Sequence, residues 1–316
     1  MLETRLVARL DQKKHDLDAL RPLPAAAVRR LQEQLTLEWI YNSNAIEGNT
    51  LTLQETRLIL ETGLTIGGKS LREHFEVTNH RTAIAYVEAL MQKPEPVSAF
   101  HVRQIHRLVM AQIDDEAAGV YRQLPVRIAG AVHTPPDAWE VARLMTEWSD
   151  WLAGAAQELH PVERAALAHH RLVAIHPFLD GNGRTARLVM NLLLLRDGYP
   201  PTVILKLNRG QYYRVLAQAD GGRVAPFVNF VGRAVERSLT LYLEACTMQT
   251  AAPPSVDEWI PLRTAAIDTP YSQEYLSLLA RTGRLEAIKR GRNWYTTRRA
   301  VGQYQQSIAA SVQLAS

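Results

Sequence analysis

Residues 176–195 constrain this chain more than any other stretch. The first twelve of them, His176-Pro177-Phe178-Leu179-Asp180-Gly181-Asn182-Gly183-Arg184-Thr185-Ala186-Arg187, hold an imidazole, a carboxylate, an asparagine between two glycines and two arginines. Leu188-Val189-Met190-Asn191-Leu192-Leu193-Leu194-Leu195 follows at once and reads as a buried helix that stops at Gly198, ahead of Pro200 and Pro201. The polar cluster must then lie in a loop leading into a helix N-terminus. Unsatisfied backbone N–H groups and the positive end of the helix dipole face outward there, so such a loop attracts anions.

Gly181 and Gly183 accept positive φ and let a ligand approach the backbone. Successive N–H groups in such a turn converge on an anion. Arg184 and Arg187 are three apart and share a helix face, and two guanidiniums beside an N–H cradle suit a chain of phosphates. Asp180 is a poor phosphate ligand by itself and makes sense as a holder of Mg²⁺, which bridges phosphate oxygens. His176 precedes a proline, which places it off the upstream helix, and its imidazole can take a proton near neutral pH. The bland alternative is a glycine-rich helix cap with surface charges.

These residues fill every specified position of the pattern His-x-Phe-x-Asp/Glu-Gly-Asn-Gly-Arg-x-x-Arg, and through them the chain resembles the Fic family. The resemblance implies an adenylyltransferase that moves AMP from Mg-ATP to a Ser, Thr or Tyr hydroxyl of a protein. It implies His176 as general base and Asp180 as Mg²⁺ ligand. It places Gly181, Asn182, Gly183, Thr185 and Ala186 around the phosphates, and has Arg184 and Arg187 orient the β- and γ-phosphates.

Upstream, residues 25–46 read as a helix that ends at Ser43-Asn44-Ala45-Ile46-Glu47-Gly48. A carboxylate at a helix C-terminus is mildly unfavourable, so Glu47 needs solvent or a cation. The resemblance supplies the cation. Ser43-x-x-x-Glu47-Gly48 matches the inhibitory motif of Fic proteins, in which the glutamate pairs with the second motif arginine, here Arg187, and leaves ATP in a non-productive pose. Breaking a buried Glu–Arg pair from one side costs about 3–5 kcal/mol, ample to hold a site off.

Helices are also expected over 1–24, from Leu53, from Leu71 to 92, over 98–112, 137–153, 161–175 and 225–247. His101 and His106 read as packing or surface groups, and His169 and His170 as buttresses of the loop; no zinc-ligand spacing is present. Val126, Ile128 and Val132 around Gly130, closed by Pro135 and Pro136, read as a β-hairpin. By position it looks like the Fic flap, with Ala129, Gly130, Ala131 and Val132 facing the nucleotide and an edge for a target segment. The adjacent Tyr212 and Tyr213 cannot share a helix face. The resemblance puts one of them near the base or ribose, with core packing as the other reading. Asp220 stands where relatives often carry an asparagine that closes the pocket.

Residues 248–257 read as a Pro- and Ala-containing linker. Beyond it, helix, turn, helix and a two-strand wing resemble the winged helix-turn-helix of excisionase and MerR-type regulators. Residues 255–316 hold eight Arg or Lys against five Asp or Glu, net +3 of the whole chain's +4. Arg281, Arg284, Lys289, Arg290 and Arg292 suit phosphates. A protein–protein docking module is the rival reading of this part.

The expected fold is mainly α: an N-terminal helical region with the inhibitory helix (1–95), a Fic core with its flap (96–247), the linker (248–257) and a winged-helix domain (258–316). The alternative function is a DNA-binding regulator whose Fic unit serves as a nucleotide-responsive switch. Expected partners are a protein bearing the hydroxyl, the chain itself as acceptor, a second copy of the chain, and DNA through 258–316. No membrane partner is expected, because no apolar run approaches the roughly 18–20 residues of a bilayer span. One cysteine, Cys246, excludes an internal disulfide, and with a charged N-terminus the expected compartment is the cytoplasm.

Overall fold

A helix apolar on every side must be wrapped by others, and that is the plan of the first unit, Met1–Thr247. The computed structural model describes residues 1–128, 133–250, 258–267, 269, 271–291 and 293–313. In chain order the unit carries α1 (Thr4–Ala19), α2 (Ala25–Ile46), α3 (Leu53–Thr62), α4 (Leu71–Met91), α5 (Ala99–Met110), α6 (Val141–Ala153), α7 (Pro161–Ile175), α8 (Asn182–Arg196), α9 (Arg209–Asp220) and most of α10 (Ala225–Thr250). Helix α8 is the axis, with α7, α4 and α5 packed around it. Leu188, Val189, Met190, Leu192 and Leu194 are fully buried.

Local chemistry explains the boundaries. Thr52 and Ser70 cap α3 and α4 in reciprocal capping boxes with Glu55 and Glu73. Pro161 occupies the first turn of α7 behind the His160 cap. Helix α8 ends in a left-handed Gly198 (φ 75°), with Tyr199 N–H donating to the Leu194 carbonyl at 2.9 Å. Asn191, buried near the middle of α8, exchanges bonds with the Thr202 backbone at 2.9 and 2.7 Å, which fastens the apolar 203–205 segment to the axis.

Three expectations need adjustment. The helix expected over 137–153 opens as a 3-10 turn at Ala138–Glu140. Among the described residues between 119 and 137, the arch, no strand pairing forms; the expected nucleotide-facing residues Ala129, Gly130, Ala131 and Val132 lie outside the described residues. Part of the expected linker, 248–250, continues α10, and 251–257 are outside the described residues.

The second unit, Met248–Ser316, is winged-helix-like: β1 (Ile260–Pro261), α11 (Leu262–Ile267), α12 (Gln273–Arg281), β2 (Ala287–Arg290), β3 (Asn293–Thr296) and α13 (Arg298–Gln313). The sheet is antiparallel in the order β1-β3-β2, with Ile260 opposite Thr296 and Lys289 opposite Trp294. Leu276, Leu279, Leu285, Val301 and Tyr304 form its own core. The third strand went unexpected because two residues, one of them proline, carry no strand signal. Among the described residues no helix is long and apolar enough to cross a membrane.

Candidate active site

The twelve-residue loop joins α7 to α8. His176 caps α7 in the left-handed region (φ 51°), and Pro177 prevents the helix from continuing. Such a conformation costs a non-glycine residue about 1–3 kcal/mol and persists only where surroundings enforce it. Arg122, buried on the arch, enforces it. Its Nε donates to the His176 carbonyl at 2.8 Å, its remaining nitrogens donate to the carbonyls of Leu124 and Pro136, and its backbone N–H reaches the Pro177 carbonyl at 3.0 Å. One desolvated guanidinium thus ties the arch to the residue that carries the imidazole.

His106 braces the other half of the loop. Its ring stacks on Phe178 at 3.6 Å between centroids, Gly119 N–H donates to Nδ1 at 2.9 Å, and Nε2 therefore donates to the Asp180 carbonyl at 2.9 Å. Burial pushes the His106 imidazole down to about 4, so this neutral tautomer persists at physiological pH. Gly181 takes φ 74°, and a Cβ there would press on Met110 and the His106 ring. Asn182 spends its side chain on Phe178, accepting from its N–H at 3.0 Å and donating to its carbonyl at 2.8 Å.

Beyond that closed loop, the first turn of α8 presents its N–H groups. Glu47 sits over them. A Cβ on Gly183 would collide with Glu47 Oε1. The same oxygen pairs with Arg187 Nη2 at 2.7 Å, and Tyr213 Oη stands 3.5 Å from Oε2. Arg187 is buried and also donates to Ser43 Oγ (3.0 Å), the Ser43 carbonyl (2.8 Å) and Tyr212 Oη (3.4 Å). Burial works against its charge, but Glu47 outweighs burial and raises its pKa. The Glu47 side chain is 30% exposed, so the pair is buried on one side only and solvent screens part of its strength.

Asp180 lies at the rim, half-exposed, in contact with Arg72 from α4 and 3.5 Å from Arg184 Nη2. Burial opposes its ionisation, yet Arg184, the Gly181 N–H and Arg72 prevail and hold the carboxyl below its ordinary value. Arg184 is buried and pairs with Glu76 at 3.1 Å. A cavity of about 410 Å³ opens here, lined by Glu47, Thr50, Arg72, Glu76, Asp180 and Arg184 among others. Burial, reinforced by Arg122, lowers the His176 pKa against the opposing pull of Val173 and Glu47. That leaves a neutral imidazole within electrostatic reach of the carboxylate in the cradle.

The structure brings together His176, Asp180, Gly181, Gly183, Arg184, Arg187, Ser43, Glu47 and Tyr213. Four residues expected around the nucleotide are engaged elsewhere. Thr185 is buried and its N–H already donates to the Gly181 carbonyl, and the Ala186 methyl belongs to the core. Asn182 can offer phosphates only its backbone. Tyr212 is a core residue, bonded to buried His169 at 3.0 Å among Phe227 and Phe230, whereas Tyr213 faces the mouth. Asp220 binds His170 at 2.9 Å. Sequence reasoning missed Arg122, Arg72, Glu76 and the bracing role of His106; Arg122 lies outside any helix and Arg72 and Glu76 stand among many polar neighbours, so none carries a local mark.

The residues fit Mg²⁺ with phosphates. An ionised, half-exposed carboxylate beside an N–H cradle matches the one or two carboxylates that ion takes when phosphates complete its shell.

Comparison with known proteins gives the same direction. A family model described as Fic/DOC family matches residues 96–194. The protein adenylyltransferase Fic of Drosophila grimshawi is 42% identical over 245 residues, 77% of this chain and 50% of the relative. The chain thus spans about half the length of the curated relatives it matches. A Fic domain containing signaling protein from Bacteroides thetaiotaomicron superposes with TM-score 0.71 at 34% identity, over 76% of this chain and 97% of that one. Fic-1 from C. elegans does so with TM-score 0.69 at 35% identity, over 76% and 71%.

Proposed function

The chain belongs to the Fic family, and on that footing we propose that its first unit transfers AMP from Mg-ATP to a Ser, Thr or Tyr hydroxyl of a protein and is restrained by Glu47. The observation that carries this reading is Glu47, which lies over Gly183 in the first turn of α8, pairs with Arg187 and acts electrostatically on the His176 imidazole, whose pKa is lowered.

Nδ1 of His176 is buried, so Nε2 is the atom that takes the hydroxyl proton. The freed oxygen attacks the α-phosphorus, the α–β bridging bond breaks, and pyrophosphate leaves. The N–H groups of α8 and the two guanidiniums bear the charge that develops on the phosphate oxygens. Mg²⁺, held by Asp180, neutralises phosphate charge when bound. Glu47, lodged over Gly183 and bonded to Arg187, takes the place and the cation that a γ-phosphate needs. Ser43 holds Arg187 toward that pairing. The chain's own hydroxyls are candidate acceptors, and a second copy is a candidate partner.

The test uses Glu47→Gly protein with ATP labelled at the α- or the γ-phosphate, and the double variant with His176→Ala as control. Protein-bound label from the α-position alone supports AMP transfer; label from the γ-position alone refutes it.

A further inference from the structure

Asp180, Arg184 of α8, and Arg72 and Glu76 of α4 meet at the same cavity. Arg184 is the most buried of them, its side chain 2% exposed. A guanidinium so far from water needs a counter-charge. Among the described residues, two carboxylates are in reach: Glu76 Oε1 stands 3.1 Å from Nη1, and Asp180 Oδ1 stands 3.5 Å from Nη2. They are not equivalent. Glu76 is 11% exposed and Asp180 49%, so water screens the Glu76 pair far less. Nη1 has no aligned hydrogen-bond acceptor among the described residues, so its contact with Glu76 acts through charge. The other oxygen of Glu76 accepts from the Asn49 amide at 2.9 Å, and the Asn44 amide holds the Glu76 backbone carbonyl at 3.1 Å. The segment on either side of Glu47 thereby aims the Glu76 carboxylate at Arg184.

We propose that Glu76 is a positioning residue of the nucleotide site: it answers the charge of Arg184 and so leaves the Asp180 carboxylate to Mg²⁺. This rests on the reading of Asp180 as the metal ligand. With Glu76 neutral, Asp180 would be the remaining counter-charge for a guanidinium that has almost no contact with water, and Mg²⁺ would have to displace it. A buried cation left without its partner is strongly unfavourable, so that displacement is costly. Arg72 also touches Asp180, but it is about half-exposed and can turn to water or to Glu76, 3.4 Å away. Arg184 has no such exit.

The experiment measures by calorimetry the affinity of Glu47→Gly protein for α,β-methylene-ATP, whose α–β bridge cannot break, at rising Mg²⁺ and in EDTA. AMP, which lacks the β- and γ-phosphates, is the control ligand, and thermal melts check folding. Adding Glu76→Gln, which keeps the shape and removes the charge, is expected to raise the Mg²⁺ concentration for half-maximal tightening about tenfold, within the range of couplings inside one ion-pair network. AMP affinity and the Mg²⁺-free affinity of the analogue should stay within about threefold of the parent. Glu76→Asp restores the charge and should recover most of the Mg²⁺ response. Asn49→Ala, which releases the second oxygen of Glu76, should raise the Mg²⁺ requirement about threefold and carries the test if Glu76→Gln does not fold. A folded Glu76→Gln protein with the parent's Mg²⁺ requirement, or one that loses AMP and the analogue alike, overturns the proposal. A Mg²⁺ response that survives Asp180→Ala overturns it together with the metal reading beneath it. The assay transfers no AMP, so a chain that meets these expectations yet modifies no protein would refute the proposed activity alone.

Discussion

The two units treat their cations in opposite ways. In the first unit every arginine at the candidate site already faces an acceptor. Arg187 meets Glu47 and Ser43, Arg184 meets Glu76, Arg72 meets Asp180, and Arg122 donates to backbone carbonyls. In the second unit, Arg263, Arg281 and Lys289 face an open groove that has no carboxylate among its described lining residues. A cation already matched by its own chain must lose that partner before it binds an incoming anion. An unmatched one releases counterions on contact. By this contrast the cations of the first site are already matched within the chain, and those of the second unit's groove are not.

The largest effect expected from breaking the contrast is at the latch. Glu47→Gly frees Arg187 and clears the cradle. Because Glu47 is one-third exposed, the gain should fall below the limit for a buried pair, at about tenfold to a hundredfold in initial transfer rate. Adding His176→Ala should remove about a hundredfold or more, as loss of a general base does. An unchanged rate in the single variant would sink the latch.

Arg122→Ala tests whether buried cations of the first unit are structural. It strands the carbonyls of His176, Leu124 and Pro136, at about 1–3 kcal/mol for each that water does not reach. We expect a lower melting temperature and a roughly tenfold fall in kcat with KM for ATP nearly constant. Arg122→Lys should recover little, since one ammonium cannot span three carbonyls.

The His176 pKa lies below its ordinary value, and a general base acts in its neutral form. The acid limb of kcat/KM in Glu47→Gly protein should therefore fall below pH 6.5, the usual histidine value. An acid limb above that pH would show the imidazole to be less buried than the fold implies. The smallest change is expected from Arg72→Ala. Both partners of the Arg72–Asp180 pair are about half-exposed, so its removal should tighten Mg-ATP binding only about twofold.

Much of this was legible in the chain itself. The loop at 176–187, the apolar helix after it and the carboxylate stranded at the end of α2 are local patterns with local causes. Residues 25–46 and 161–175 form helices as expected because proline and cap chemistry mark their ends. What went unread was long-range. His106 lies 74 residues from the Asp180 carbonyl it holds, and Arg122 lies 54 from that of His176. A histidine in an amphipathic helix carries no mark that distinguishes a brace from ordinary packing.

Composition and spacing alone determined that a glycine-rich loop stands at a helix start, that it holds a histidine and an aspartate, and that net positive charge gathers in the last fifth of the chain. Only the tertiary structure decided which groups reach the cradle. It set Glu47 over Gly183, turned Tyr213 outward and Tyr212 inward, and spent the Asn182 side chain on Phe178. Backbone periodicity and capping act over a few residues. Which side chain meets which across the core depends on how α2, α4, α7 and α9 pack on α8, and close packing admits one arrangement at a time.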